Sequence, residues 1–544
     1  MPIPDASLSS SLTTQMEPLT ILHTSDWHLG RRLYGRLRYE EFESFLHWLH
    51  DTISAQKVDI LIVAGDIFDT MTPSNKAQAL YYEFLGKVSR SCCQHVVIVA
   101  GNHDSPTFLD APSNVLKFLN VHVIGTACDD LDDEVLVLSD DDDNPHCIIA
   151  AVPYLRDRDV RSSSAGESAD SKDANVIAGI CEHYDAVATI AKEHQKIIAK
   201  SHNQHIPIIA TGHLFASGGS TTADDGVRDL YIGNLGKISA EMFDECFDYV
   251  ALGHLHVPQR VGGREHIRYS GSPIAMGFGE AKQQKQVLLI QFGDALEGMN
   301  TKNNNDHIAS DISQLINATA KTYTSVEKSA NKKLASQNTG FMDDLFGFEV
   351  EAAPEPKREQ DIETPSQRKT EVEMTVPDFP SLTDSNIANT TLNLDVTLLH
   401  HDEGRQMQVL SLPIPKFQKL AQISGDLLAI QQTIDSTIQA LAPTESIWLE
   451  IIYTGDDIVS DLHEQIQAMV TGLPCEVLKT KNPRTYNKVL NQEAASETLQ
   501  DLNEIQVFER CLNANAVTDA QKLMLRDAYA QIIHNIHHKD AQAE

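Results

Sequence analysis

From Leu19 onward, short apolar runs alternate with stretches in which apolar residues recur every three or four positions. LTILHT at 19–24 is followed by a stretch carrying Phe42, Phe45, Leu46, Leu49 and Ile53 at helical spacing, and then by the apolar run DILIVAG. Runs of four to eight apolar residues read as buried strands, and the 3.6-residue period reads as amphipathic helix. The same grammar continues through a helix over about Asn75–Ser91, the strands HVVIVAG and HCIIAAVPY, and a helix over about Val176–Lys200. IPIIATG, DYVALG, IRYSG and QVLLIQF follow. Alternation of strand and helix over 19–293 predicts an α/β domain.

Beyond Gly293 the pattern stops. Asn, Ser, Thr, Lys, Glu and Pro dominate as far as about Asn389, a composition that predicts a largely disordered insertion over 294–390. Within it, Phe341 to Phe348 gathers three phenylalanines, a leucine and a methionine among acids, a candidate sticky segment. Residues 1–18 read as a disordered extension. Apolar patterning resumes with TLNLDVTLLH and QVLSLPI, a helix near Leu427–Leu441, the strand SIWLEIIYT, a helix from about Ser460, and CEVLKT. This predicts a small α+β domain over 391–481. Two last helical stretches, about Thr485–Leu512 and Thr518–His538, flank NANAV, with Thr518 placed as an N-cap, so 482–544 is expected to close as a helical hairpin.

Charge and cysteines narrow the functional classes. A formal net charge of −34 argues against nucleic acid at first sight, since phosphate binding rests on Lys and Arg that displace counterions. Much of the acid, however, sits in runs such as Asp129–Glu134 and Asp140–Asp143, whereas Arg31, Arg32, Arg36 and Arg38 cluster together. That cluster is a candidate DNA contact or a solvated surface. The eight cysteines contain no C-x-x-C pair, which disfavours a zinc ribbon or a dithiol redox motif and predicts reduced thiols. With no signal-peptide pattern and no 18-residue apolar run, a soluble cytoplasmic protein without membrane attachment is expected. There is no G-x-x-x-x-G-K-[ST] motif, so any ATP dependence must come from a partner.

The chemistry lies where polar residues follow apolar strands, because α/β folds open their ligand crevices at the C-terminal strand ends. Five such ends recur: Asp26 and His28 in SDWHLG, Asp66 in VAGDIFD, Asn102, His103 and Asp104 in AGNHDS, His213 in IPIIATGH, and His254 and His256 in DYVALGHLH. Gly65, Gly101, Gly212 and Gly253 adjoin them and leave room for close approach of backbone and metal. Each motif alone is common by chance. Together they offer two aspartates, an asparagine and four histidines without thiolate, a set that suits Mn²⁺, Fe²⁺, Mg²⁺ or Zn²⁺, with Asp66 able to bridge two ions. Paired cations of this kind acidify water for in-line attack and neutralise charge at phosphorus. His103, beside Asn102 on one turn, is the candidate proton-handling residue, against a packing role beneath the loop. Asp69 and Asp104 are candidates to orient imidazoles from behind.

These motifs resemble those of the calcineurin-like metallophosphoesterases, and ILHTSDWHLG, VAGDIFDT, AGNHDS, ATGHL, DYVALGHLH and RYSGSP resemble the SbcD nuclease family. The resemblance implies an α/β core of two packed β-sheets flanked by helices, a small capping domain over 391–481 and partner-binding helices at the C-terminus. It also implies one metal on Asp26, His28, Asp66 and His256, and a second on Asp66, Asn102, His213 and His254, most often Mn²⁺. The implied activity is double-strand exonuclease and single-strand or hairpin endonuclease in DNA repair and recombination. The implied partner is an SMC-like ATPase of the SbcC type, with a homodimer inside a heterotetramer. The insertion has no counterpart in the family pattern. Another phosphoesterase activity, or an interaction subunit that has lost its chemistry, are the alternatives; no ligand position is missing.

Overall fold

The structure, a computed structural model, describes residues 18–140, 142–160, 169–216, 238–293, 396–400, 406–455, 459 and 461–482, with positions 508, 512, 522, 525, 526 and 529 near the C-terminus. All of these belong to one of the two units into which the chain divides, 1–297 together with 396–544. The expected N-terminal extension and the insertion with its Phe341–Phe348 segment lie outside the described residues.

Strand β1 (Leu19–Thr24) leads through a short ribbon, β2 (Arg32–Leu33) and β3 (Arg36–Leu37), into helix α1 (Tyr39–Gln56). Then come β4 (Ile60–Ala64), α2 (Asn75–Val88), β5 (His95–Val99) and β6 (Val121–Ile124). β7 (Val135–Ser139) and β8 (Pro145–Ala150) precede the long helix α3 (Ala169–His202), followed by β9 (Ile208–His213), β10 (Tyr249–Gly253), β11 (Gln259–Val261), β12 (Arg264–Tyr269) and β13 (Gln286–Gly293). β14 (Val396–His400) and β15 (Gln406–Pro413) come next.

Two sheets form the core, one in the order β14-β15-β13-β1-β4-β5-β6 and the other β11-β12-β10-β9-β8-β7. β1, β4, β5 and β6 run parallel, as do β8, β9, β10 and β12. The sheets pack face to face through Ile21, Ile62, Val97 and Val99 from one and Ile149, Ile209, Tyr249 and Ala251 from the other. The opposite face of the second sheet, with Ile148, Ile208 and Val250, packs on Val176, Ile180, Tyr184 and Val187 of α3. β1 and β4 are buried along their whole length, and β4 accordingly reads ILIVA without polar alternation.

The expected boundary at 391 is corrected by strand pairing. β15 pairs antiparallel with β13 from Gln286↔Pro413 to Gly293↔Gln406, β14 pairs with β15, and Met407 and Val409 enter the inter-sheet core. VTLLH at 396–400 and QVLSLPI thus extend the core sheet instead of opening the capping domain. The strand patterns were legible, but a strand does not carry the address of its partner. The cap itself is β16 (Lys419–Gly425), α4 (Leu427–Gln439), β17 (Ile447–Tyr453), α5 (Leu462–Val470) and β18 (Cys475–Lys481). Its three strands are parallel, with both helices packed on Ile423, Leu449 and Ile451, and Asp426 caps α4 by accepting from the Ala429 N–H at 2.8 Å.

The cap rests on the β2–β3 ribbon. Leu33 and Phe278 of the core bury Trp448, with Leu420 and Leu478 packed alongside. Lys479 Nζ donates to the Tyr34 hydroxyl at 2.8 Å and lies 4.1 Å from the centre of its ring. Among the described C-terminal positions, Phe508 and Tyr529 are helical and their rings stack with centroids 3.9 Å apart; the remainder of the expected hairpin lies outside the described residues.

Candidate metal centre

Asp26 and His28 follow β1, Asp66 follows β4, and Asn102 and His103 follow β5; β9 ends at His213, and His254 and His256 follow β10. These strands present their C-terminal ends to one crevice, which brings the expected ligand residues together although they span more than two hundred positions of sequence. Asp26, His28, Asp66, His213, His254 and His256 are all buried, and Asn102 is half-buried.

Three donor groups form among the described residues: in one, donor atoms of Asp26, His28 and His256 lie within 4.8 Å of one another, in a second those of Asp66, His213 and His254 do, and a third, of His28, Asp69 and His103, adjoins the first through His28. Asp66 stands between the first two, with Oδ2 3.5 Å from His28 Nε2 and 3.3 Å from His213 Nε2. Asn102 Oδ1 is 3.0 Å from His213 Nε2 and 3.2 Å from His254 Nδ1. His28 Nε2 and His256 Nε2 face each other at 3.1 Å, and His254 Nε2 is buried without a hydrogen-bond partner among the described residues. Imidazole nitrogens converging on carboxylate and amide oxygens, with no thiolate, fit divalent cations. His103 lies beside this set, its ring 4.7 Å from that of His28 and its Nδ1 2.8 Å from the Asp69 carbonyl oxygen.

Backbone and buried polar groups hold the donors in place. His213 Nδ1 donates to the Ala64 carbonyl at 3.0 Å, which turns Nε2 toward Asp66. Asp66 Oδ1 accepts from the His103 N–H at 2.8 Å, and Asp26 Oδ1 from the His254 N–H at 2.9 Å. Asp69 lies 3.4 Å from His28 Nδ1. Asp104 does something other than the expected orienting of an imidazole: it accepts from the N–H groups of Ile67, Phe68 and Gly101 at 3.1, 2.9 and 2.9 Å and ties the turn after β4 to the turn after β5. Asp26, His28, Asp66 and His254 all have positive φ (54°, 48°, 51° and 104°), a conformation costing roughly 1–3 kcal/mol each for residues with a side chain. Gly101 is required by proximity, since a Cβ there would lie 2.2 Å from Asp66 Oδ1.

Burial opposes the charge on Asp66, yet His213, His28 and His103 hold its carboxyl well below the usual range. Burial likewise opposes the charge on His213, but Asp66 and Asp26 outweigh it and raise the imidazolium pKa to about 9. Burial, reinforced by the charge of His213, lowers His254 to about 3, while burial, His28 and Lys285 lower His256. A cation bound through His213 would therefore have to displace its proton below about pH 9. Metal affinity is expected to rise about tenfold per pH unit between pH 6.5 and 9, with about one proton released per chain. Calorimetric titration in buffers of different ionisation enthalpy measures that proton. The converse holds without metal: the charged pair stabilises fully below pH 6.5, and its contribution is lost as pH rises through about 9.

The arginine cluster divides. Arg32 is exposed, Arg31 pairs with Asp69 at 3.2 Å, and Arg36 turns to the cap, 3.7 Å from Glu476. Arg38 is corrected from a candidate DNA contact to an interior residue. Its guanidinium is 1% exposed, bonds both oxygens of Glu41 at 2.8 Å and donates to the Ala275 carbonyl at 2.7 Å. Neighbours along a tight ribbon point in different directions, so proximity in sequence did not make a patch. Sequence reasoning missed Ser25, whose hydroxyl donates to Asp26 Oδ2 at 2.6 Å and meets Ser270 Oγ at 2.8 Å. The only signal was the adjacency of Ser25 to Asp26 and the place of Ser270 in RYSGSP.

Residues 19–258 match the calcineurin-like phosphoesterase family model, and 416–516 match that of the type 5 capsule protein repressor C-terminal domain. Two packed sheets with a histidine-rich oxygen and nitrogen donor set at their strand ends make this protein a calcineurin-like metallophosphoesterase, a phosphodiester hydrolase that uses divalent metal. The SbcD subunit of the SbcCD nuclease of Escherichia coli K12 is 29% identical over 519 residues, covering 95% of this chain and 98% of its own. The SbcD subunits of Rhodobacter capsulatus and Bacillus subtilis are 36% and 32% identical over 279 and 273 residues, half of this chain and 66% of theirs. The chain belongs to the SbcD family. Among the described residues, no helix is long and apolar enough to cross a membrane.

Proposed function

We propose that this chain is the metal-dependent DNA nuclease subunit of an SbcCD-type complex, cutting duplex ends and hairpin or single-stranded DNA with two Mn²⁺ ions. The observation that carries this reading is Asp66 standing between two buried donor groups in one crevice, in a chain similar over 95% of its length to a nuclease subunit. Asp26, His28, Asp66 and His256 would hold one ion, and Asp66, Asn102, His213 and His254 the other. Cations bound there supply Lewis acidity toward phosphate oxygens and toward attacking water. Asp66 fixes their spacing, and Asn102 leads the chain to His103. With Nδ1 donating to the Asp69 carbonyl, the Nε2 edge of His103 is the one that exchanges protons with the leaving oxygen of the scissile phosphate. His103→Ala is expected to bind metal normally and to lose roughly 10²–10⁴-fold in turnover; loss of metal binding by calorimetry would make His103 structural instead. Arg32 and Arg36 are both exposed on the ribbon that follows this crevice; Arg36 faces Glu476 of the cap, and Arg32 is the proposed DNA contact.

The proposed partners are an SMC-like ATPase, docking on the C-terminal helices within 482–544, and a second copy of this chain. Val115, Phe118 and Leu119, 68%, 90% and 44% exposed, offer an apolar face for that copy. Phe118→Arg is expected to leave a monomer in sedimentation velocity where the wild type is a dimer; an unchanged dimer places the contact elsewhere. The function is tested by Mn²⁺-dependent degradation of labelled duplex and hairpin DNA, with and without the ATPase, beside a phosphomonoester and a cyclic nucleotide. Hydrolysis of the small esters but not of DNA overturns the nuclease reading.

A further inference from the structure

His256 is held from behind, at its carbonyl, by a side chain that belongs to none of the five motifs. Lys285, just before β13, is buried, and its Nζ donates to the His256 carbonyl at 2.9 Å and to Ser272 Oγ at 3.0 Å. Its charge is met by Glu280 Oε2 at 2.6 Å. Glu280 is itself fully buried, and Oε2 also accepts from the Met276 N–H at 2.8 Å. The main chain of Lys285 is anchored too, since its carbonyl accepts from the Ile414 N–H at 2.8 Å. On the same His256 oxygen, the Ser272 N–H donates at 3.2 Å. Gly271, at φ +77°, passes so near that a Cβ there would lie 2.8 Å from it.

Burying an ion pair costs several kcal/mol of desolvation per ion, and apolar side chains of similar volume often stabilise a fold as well or better. Packing alone therefore gives little reason for this pair. What an ammonium adds is direction: three short contacts aim it at one carbonyl, two bonds from the Cα of His256, whose ring faces His28 at 3.1 Å.

We propose that Lys285, neutralised by Glu280, is a positioning residue for the metal centre, fixing the main chain of His256 so that its imidazole meets the cation shared with Asp26 and His28. This inference rests on the two-cation reading above. It assigns Lys285 no contact with substrate or metal.

The test is Mn²⁺ titration by calorimetry into the full-length chain and into E280Q/K285M, which removes the ammonium without stranding a buried charge. The wild type is expected to bind two ions. The double variant should bind one ion at unchanged affinity and the other about 10- to 100-fold more weakly, the usual size of such indirect effects. In a His256→Ala background the same pair of changes should cost nothing further; an additional loss there means that Lys285 does not act through His256 and overturns the proposal. Ser272→Ala, a smaller change that removes one contact aligning the ammonium, should weaken the same ion roughly three- to tenfold. It decides the matter if the double variant does not fold, because unchanged affinity for both ions in Ser272→Ala then overturns the proposal. Equal affinities in the wild type and a folded double variant overturn it alone. A wild type that binds no Mn²⁺ overturns the two-cation reading and this inference with it.

Discussion

Asp66→Asn is expected to yield a folded chain with less than about 10⁻⁴ of wild-type DNA cleavage. The Asp66 carboxylate divides its work: Oδ1 accepts from the His103 N–H, while Oδ2 lies between His28 and His213. Asparagine keeps the size and an oxygen for the first bond, but it loses the charge and the second acceptor on which both proposed ions depend. Each cation supplies several kcal/mol of charge stabilisation at phosphorus, so impairing both costs well beyond four factors of ten. The fold survives for a reason visible in the charges. Stranding a charged His213 in the interior would be costly, but that histidine is charged only because Asp66 and Asp26 hold its proton against burial. When Asp66 loses its charge, the proton can leave. Circular dichroism and thermal melting should resemble the wild type, and cleavage within tenfold of the wild type in a folded variant would sink the assignment of Asp66 as the bridge.

Asp104→Ala is expected to act on stability, by about 3–5 kcal/mol, rather than first on chemistry. Three buried main-chain N–H groups, of Ile67, Phe68 and Gly101, end on this one carboxylate, and each donor left unsatisfied costs roughly 1–3 kcal/mol, with partial relaxation between neighbours. Urea unfolding in chelator measures the loss, and a change below about 1 kcal/mol would show that water replaces the carboxylate. A pH signature accompanies it. Burial, and after it the charge of Asp66, raise the Asp104 pKa to about 6. A carboxyl raised in the folded state opposes folding once ionised. The metal-free wild type should therefore lose stability from this group as pH rises from about 4 to about 6, and the alanine variant should lack that part of the slope. Metal loss in this variant would follow from loosening of the two turns.

The Asp104 result bears on how much of the centre could be read beforehand. Asp26, His28, Asp66, Asn102, His213, His254 and His256 were legible because each lies at or just beyond the end of a buried, largely apolar strand, and such a run has an end that is easy to see. Their convergence followed from one rule, that parallel strands open their crevice at the C-terminal ends. Nothing comparable marks a residue that serves through a main-chain bond. Asp104, Ser25 and Lys285 act on groups that every residue possesses, so their sequence neighbourhoods look like those of any buried polar side chain.

By itself, then, the sequence determined the α/β character of the core, its central strands though not β6, β7 or β11, and the donor chemistry of the crevice, because hydrophobic period and ligand type are properties of single residues and near neighbours. Only the tertiary structure decided that β14 and β15 complete the core sheet instead of the cap, and that Arg38 turns inward to Glu41 while Arg36 turns to the cap. It also decided that Lys285 reaches His256. Each of these depends on which distant segment arrives next to which. Strand pairing and buried ion pairs are settled by the competition among all possible partners for limited interior space, and no local pattern records its outcome.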